Sequence, residues 1–164
     1  MDKLATLYQV LCQELGALAA IQYCGLLPAR RDSLPLPAIV LDMVELEPAR
    51  ERGTGDLSLI SHWEARVLVS DTLDELSHWA LVQAVLLALD TYHWPQINIA
   101  RPVLKQASPD PFSPEYQGHR VWLIEWTQQV VIGDNIWQGQ FVVPTVLSVG
   151  CPGEPRQLFE VSDV

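Results

Sequence analysis

The chain has 164 residues, with ten basic against twenty acidic side chains, a formal charge of −10 and a pI near 4.6. Hydrophobic residues make up 49% and charged residues only 18%, which excludes a disordered tail or a coiled-coil rod. The length suits a single domain over 1–164 that buries roughly 70% of its unfolded surface, and the acidic balance argues against gripping a nucleic-acid backbone or an anionic membrane.

Cys12, Cys24 and Cys151 form no CxxC and leave one thiol over in any pairing, so a reducing cytoplasm fits better than a secreted disulfide scaffold. Met1-Asp2-Lys3 lacks the basic start of a signal peptide. The most apolar run, 79–89, contains Gln83 and is shorter than the ~20 residues that cross a bilayer. A soluble, cytoplasmic protein is expected.

Over 4–21, Leu4, Leu7, Tyr8, Leu11, Leu15 and Leu18 recur at three- and four-residue spacing, one stripe of an amphipathic helix; Gly25 and Pro28 are its stop signals. A charged connector with two prolines leads to a buried strand over 38–46. The polar loop 47–56 follows. Then Leu57, Leu59, Trp63, Ala65, Val67 and Val69 alternate with Ser58, His62, Glu64, Arg66 and Ser70, with Ser61 interrupting the apolar row. The two strands predict a long antiparallel hairpin.

Thr72-Leu73-Asp74-Glu75 fits a capping box with Thr72 as N-cap. The helix after it is apolar around most of its circumference, and must be covered on more than one side, by the sheet and by the first helix or a neighbouring subunit. Pro95 ends it at Trp94. A short strand over 97–104 carries Pro102 and suits a sheet edge. The proline-rich stretch 108–118 is a loop, and 119–132 a second long strand with Trp122, Ile124, Trp126, Val130 and Ile132 on one face. After the Gly133-Asp134-Asn135 turn, 141–149 suits a short strand, and the segment from 150 onward is rich in loop residues and runs over the surface. The order α-β-β-α-β-β predicts an α+β fold: a mostly antiparallel sheet with two main helices on one face.

Little in the sequence points to chemistry. His62, His78, His93 and His119 show no HxH or HExxH spacing and read as ordinary surface or interface histidines, with Glu75 and His78 sharing a helix face. Gly53-Thr54-Gly55 lies in a hairpin loop without the strand-to-helix context of a phosphate cradle. Asp71, Asp74 and Glu75 suit a helix's first turn, and no GxSxG is present. No catalytic residue, metal or cofactor is assigned, and an enzyme is not expected. Trp63, Trp122 and Trp126 belong to strand faces turned to a core. Trp137 follows a turn and suits either a protein interface or a fold back onto its own sheet.

The run Arg120-Val121-Trp122-Leu123-Ile124-Glu125-Trp126-Thr127-Gln128, followed by Ile132-Gly133-Asp134 and Trp137, resembles a strand of the tail terminator (tail completion) proteins of long-tailed phages, closest to those of contractile tails and tailocins. The order of elements from about 4 to 149, with an apolar helix ending near Tyr92-His93-Trp94-Pro95, is similar as well. The resemblance implies a small α+β structural protein that forms a hexameric ring on the tail tube and ends tube and sheath polymerisation. Its partners would be the tube, the sheath and a neck or head-completion protein. It would assemble in the host cytoplasm and remain at the neck-proximal end of the tail, with DNA at most passing through the ring unread. Interface candidates are Arg50, Glu51 and Arg52 in the hairpin loop, Phe112 and Tyr116 in the proline-rich loop, and Trp137. Two other classes share the small, acidic α+β character: a dimeric secretion-type chaperone, with 79–89 as its dimer helix, and an immunity protein with an acidic face.

Overall fold

The computed structural model describes residues 3–28, 34–91, 99–110, 118–136, 146–149 and 157–160. Its central pair is β3 (Leu57–Ser70) and β5 (His119–Ile132), antiparallel along their whole lengths from Leu57 opposite Ile132 to Ser70 opposite His119. The alternation of apolar residues in both strands dictates that register, because a slip by one residue would turn every core side chain to the other face. β2 (Ala38–Pro48) pairs antiparallel with β3 as the expected hairpin, and β4 (Val103–Pro109) lies on the outer side of β5. A three-residue strand, β1 (Tyr23–Gly25), pairs parallel with β2, which gives the order β1-β2-β3-β5-β4.

Two helices, α1 (Lys3–Gly16) and α2 (Glu75–Thr91), cover one face. Leu7, Leu11 and Leu15 of α1 and Val82, Val85 and Leu89 of α2 meet Ile39, Leu41, Trp63, Ala65, Val67, Ile124 and Trp126 in one buried cluster. At its centre the Trp63 and Trp126 rings, on directly opposed residues, stack at 6.2 Å and 12° between planes; Tyr8 lies on the other side of Trp63 at 6.5 Å. Ser61, the expected interruption of the apolar row, points into this core with its hydroxyl satisfied. It accepts from Trp63 Nε1 and donates to the Gln128 carbonyl, both at 2.8 Å. A hydroxyl with two partners is tolerated inside a core at little cost. The opposite face carries a smaller cluster, Ala38, Val40, Leu68 and Val121, packed by Tyr23, Leu27, Leu34 and Leu36.

Several boundaries differ from those expected. α1 ends at Gly16 rather than near 21, and β1, too short to show periodicity, occupies the place of the predicted stop. Asp74, not Thr72, caps α2: its carboxylate accepts the Ser77 N–H at 2.9 Å and the Ser77 hydroxyl at 2.5 Å, while Thr72 shares a hydrogen bond with Ser70. Those bonds hold the Asp74 carboxyl below its ordinary range, the Ser77 hydroxyl first among them. The edge strand is 103–109 rather than 97–104, beginning just after Pro102; before it, Ile99 bridges to Val130 of β5 and the Ala100 N–H donates to the Gln129 carbonyl at 3.1 Å. The segment beyond 150, expected as loop, contributes β7 (Gln157–Glu160), which pairs antiparallel with β6 (Val146–Val149) in a separate two-stranded sheet. No described helix is long and apolar enough to cross a membrane.

Trp63 is the test of this core. Replacing it by alanine should destabilise the fold by about 3–5 kcal/mol through lost burial and a cavity against Tyr8 and Trp126, read as a fall in the urea midpoint. A loss below about 1 kcal/mol would show that the ring stack is not central.

Candidate interaction surfaces

The hairpin tip is built by two glycines and a turn from another strand. In the 49–56 loop Gly53 and Gly55 take φ of 69° and 77°, the left-handed region that other residues enter only at a cost. The Ala49 N–H donates to the Ser58 carbonyl at 2.9 Å, and the Thr54 hydroxyl to Asp56 at 2.5 Å. From beyond β5, the Ile136 N–H donates to the Thr54 carbonyl at 2.9 Å, and a Cβ on Gly55 would lie 2.6 Å from the Ile136 side chain. The Gly-Thr-Gly run is therefore a seat for Ile136, held in place by hydrogen bonds within the isolated chain. It presents Arg50, Glu51 and Arg52, all exposed, near Leu57 and Ile136, which are 56% and 63% exposed. Of the residues predicted from sequence, these three charges are brought together; Phe112, Tyr116 and Trp137 lie outside the described residues.

The second surface is the outer side of α2, the helix whose sequence calls for cover by the sheet and by the first helix or a neighbouring subunit. His78, Val82, Val85 and Leu89 form the buried stripe, Leu81, Leu86 and Ala88 are partly buried beside it, and the opposite side of this all-round apolar helix is exposed. Leu76, Trp79 and Leu87 are 71%, 47% and 53% exposed, and between Glu75 and Asp90 the helix carries no carboxylate, Lys or Arg. Beside it, Leu18, Ala19 and Pro37 face Leu73, Ala80 and Leu81 across an apolar groove of about 540 Å³. Exposed large apolar residues side by side on one face mark a contact surface. The sheet edges, by contrast, are poor docking sites. β1 has three residues, and β4 has a register shift at Lys105 and ends in Pro109.

Beyond the smaller cluster, the face away from the helices carries charged residues. Arg66 lies between Glu64 at 2.6 Å and Asp110 at 3.4 Å. A bulge between Met43 and Glu45 shifts the β2 register, so Glu45 pairs with His62 and both Glu45 and Glu47 share its face. His62 Nε2 is 3.3 Å from Glu47, and the ligand-type atoms of the three residues lie within 4.8 Å of one another. Sequence spacing could not show this meeting, because it depends on the bulge. Both glutamates are exposed on an open sheet face.

His78 is not the surface or interface histidine that the sequence suggested. It is 2% exposed, with Nε2 3.3 Å from the Val67 carbonyl and its ring edge-on to Trp122 at 6.5 Å. Burial disfavours its charged form and lowers its pKa below the ordinary 6.5, against the pull of the Val67 carbonyl. The functional signal is therefore on the outer side of the helix whose inner side His78 anchors.

No protein-family model and no curated protein sequence matches the chain. Among solved structures, a chain of the "Virion of native gene transfer agent (GTA) particle" is similar at 15% identity and a TM-score of 0.46, over 74% of this chain and 84% of that one. A likeness that distant assigns no function.

The buried His78 predicts a pH dependence. Its folded pKa lies below the unfolded 6.5, so on acidification the unfolded chain takes up the proton first. Stability present above about pH 6.5 is then lost progressively below it. From pH 7.5 to 5.5 the urea midpoint should fall, and fall less for His78→Gln; equal slopes in the two proteins would remove His78 as the source.

Proposed function

We propose that this chain is a structural subunit that assembles with copies of itself into a ring and caps a phage or tailocin tail tube, ending tube and sheath polymerisation and presenting a surface to the neck or head. The observation that carries the reading is the uncovered apolar face of α2, a surface of the kind that a subunit buries against its neighbour. The resemblance along 120–137 supplies the class of assembly, and the α+β architecture is the one it implies. A terminator needs contacts of two kinds, one around the ring and one along the tail axis. The α2 face serves the first, and the hairpin tip, at the end of the long β2–β3 hairpin, serves the second.

The charge is compatible with this role. Six copies at −10 each carry a formal −60, and an acidic lumen lets a DNA backbone pass without adhering. The reading includes no cofactor and no bond-making chemistry; its work lies in contact geometry.

Light scattering across a concentration series tests the assembly. A ring of six times 18.4 kDa, near 110 kDa, is expected. Trp79→Glu should dissociate it to folded subunits, because a charge on an exposed apolar contact costs association but not the fold. Arg50→Ala with Arg52→Ala should leave the ring intact and abolish capping of tail tubes, seen by negative stain. A dimer at every concentration would replace this reading with the secretion-type chaperone. A monomer that ignores tail tubes would remove it.

A further inference from the structure

The bulge in β2 brings three metal-ligating side chains to one point on the open face of the sheet. Past it, Glu45 lies directly opposite His62, and Glu47, two residues on, lies opposite Ile60 and so diagonal to His62. Opposed side chains on a sheet stand about 5 Å apart at Cβ and diagonal ones roughly 7 Å, within reach of long side chains. One ligand-type atom from each of the three lies within 4.8 Å of the other two.

The contact between His62 and Glu47 lacks the geometry of a hydrogen bond. The His62 ring is only partly buried, but its Nε2 is closed off from solvent and has no hydrogen-bond partner, with Glu47 Oε1 at 3.3 Å. Hydrogen bonds from N–H to oxygen run to about 3.2 Å and need the donor aimed at the acceptor. Two donors on one tetrahedral zinc, each about 2.1 Å from the metal, stand roughly 3.4 Å apart. The observed 3.3 Å therefore matches two ligands of a single cation better than it matches a donor and its acceptor. Glu45 supplies a third donor from the position facing His62.

The donor set narrows the cation. An imidazole nitrogen with two carboxylates suits zinc and its transition-metal neighbours, whereas magnesium and calcium prefer oxygen alone. Two carboxylates cancel the charge of a divalent cation, and a chain of formal charge −10 concentrates cations at its surface. Both glutamates are exposed, which leaves room for water in the remaining coordination position.

We propose that Glu45, Glu47 and His62 hold a divalent cation of the zinc class, which clamps β2 to β3 immediately below the hairpin tip. Glu47 is followed by Pro48, where β2 ends, and the tip begins at the next residue. A metal held from both strands keeps them from parting there and stiffens the base of the loop that carries Arg50, Glu51 and Arg52. The site is separate from the apolar side of α2 and does not depend on the tail-terminator reading.

Calorimetric titration of the full chain with zinc, repeated with magnesium, tests the site. One zinc per chain is expected, with magnesium weaker by roughly tenfold or more. His62→Gln and, separately, Glu45→Gln should each weaken zinc by roughly tenfold or more, with the circular dichroism spectrum unchanged. With zinc roughly a hundredfold above its dissociation constant, the thermal midpoint should rise by roughly 5 °C in the natural chain and stay put in His62→Gln. Amide exchange should slow across 45–62 and not along α2, which separates this site from zinc held by a cysteine or another histidine. Absence of zinc binding, or zinc affinity that survives both substitutions, would overturn the proposal. Equal affinity for magnesium, or protection that appears elsewhere in the chain, would do so too.

Discussion

The fold depends on the pairing of β3 with β5 and, within it, on Trp63 opposite Trp126. Fourteen residues of each strand are in unbroken antiparallel register, and the two indoles, each 1% exposed, lie at its centre. A change of register would expose both rings and strand Ser61, whose hydroxyl bridges Trp63 Nε1 to the Gln128 carbonyl only in this alignment. The stack extends to Tyr8, so the same contact fixes where α1 lies. Lys3 at the helix start then donates to the Val131 carbonyl at 2.8 Å. The two long strands also carry the hairpin tip and the 133–136 turn to the same end of the sheet, where Ile136 seats on Gly55.

One inserted residue gives the sheet its two characters. Up to Met43, β2 keeps its odd-numbered side chains on the helix face; continued without interruption, that alternation would turn Glu45 and Glu47 inward. The bulge reverses it, and the acids meet His62 on the open face while Leu46 stays on the apolar side. The edge strand β4 has a similar irregularity at Lys105, where it obstructs the addition of a further strand. Association by sheet extension is thereby discouraged, and α2 offers Leu76, Trp79 and Leu87 as an exposed apolar contact surface.

Long-period features were legible in the sequence. The α1 stripe, the β2–β3 hairpin, the limits of 119–132 and the all-round apolar character of α2 each rest on patterns repeated over ten or more residues, which tertiary contacts reinforce. Short or cooperative features were not. β1 has three residues and takes its identity from β2; the α2 cap moved from Thr72 to Asp74 because a carboxylate three residues before Ser77 reaches two donors at once. The exposure of Leu76, Trp79 and Leu87 was half legible: the composition of α2 required more cover than one sheet gives, and the structure shows which side lacks it.

The distribution of charge bears on how such subunits meet. Each copy carries a formal −10, so two copies repel at distances up to a Debye length, about 10 Å at 0.1 M salt. The outer face of α2 confines its charge to Glu75 and Asp90 at the two ends and offers Leu76, Trp79 and Leu87 between them. Attraction there is short-ranged and apolar, repulsion elsewhere is long-ranged and ionic, and salt weakens only the second. Self-association through α2 is therefore the kind that added salt strengthens. An acidic face that blocks a basic partner behaves in the opposite way, because salt screens the attraction that holds it. The same opposition selects geometry: with the sheet edges blunted and the acidic surfaces repelling, the helix face is where copies approach at least cost. On the proposed reading, the charged hairpin tip would stay free for a different protein.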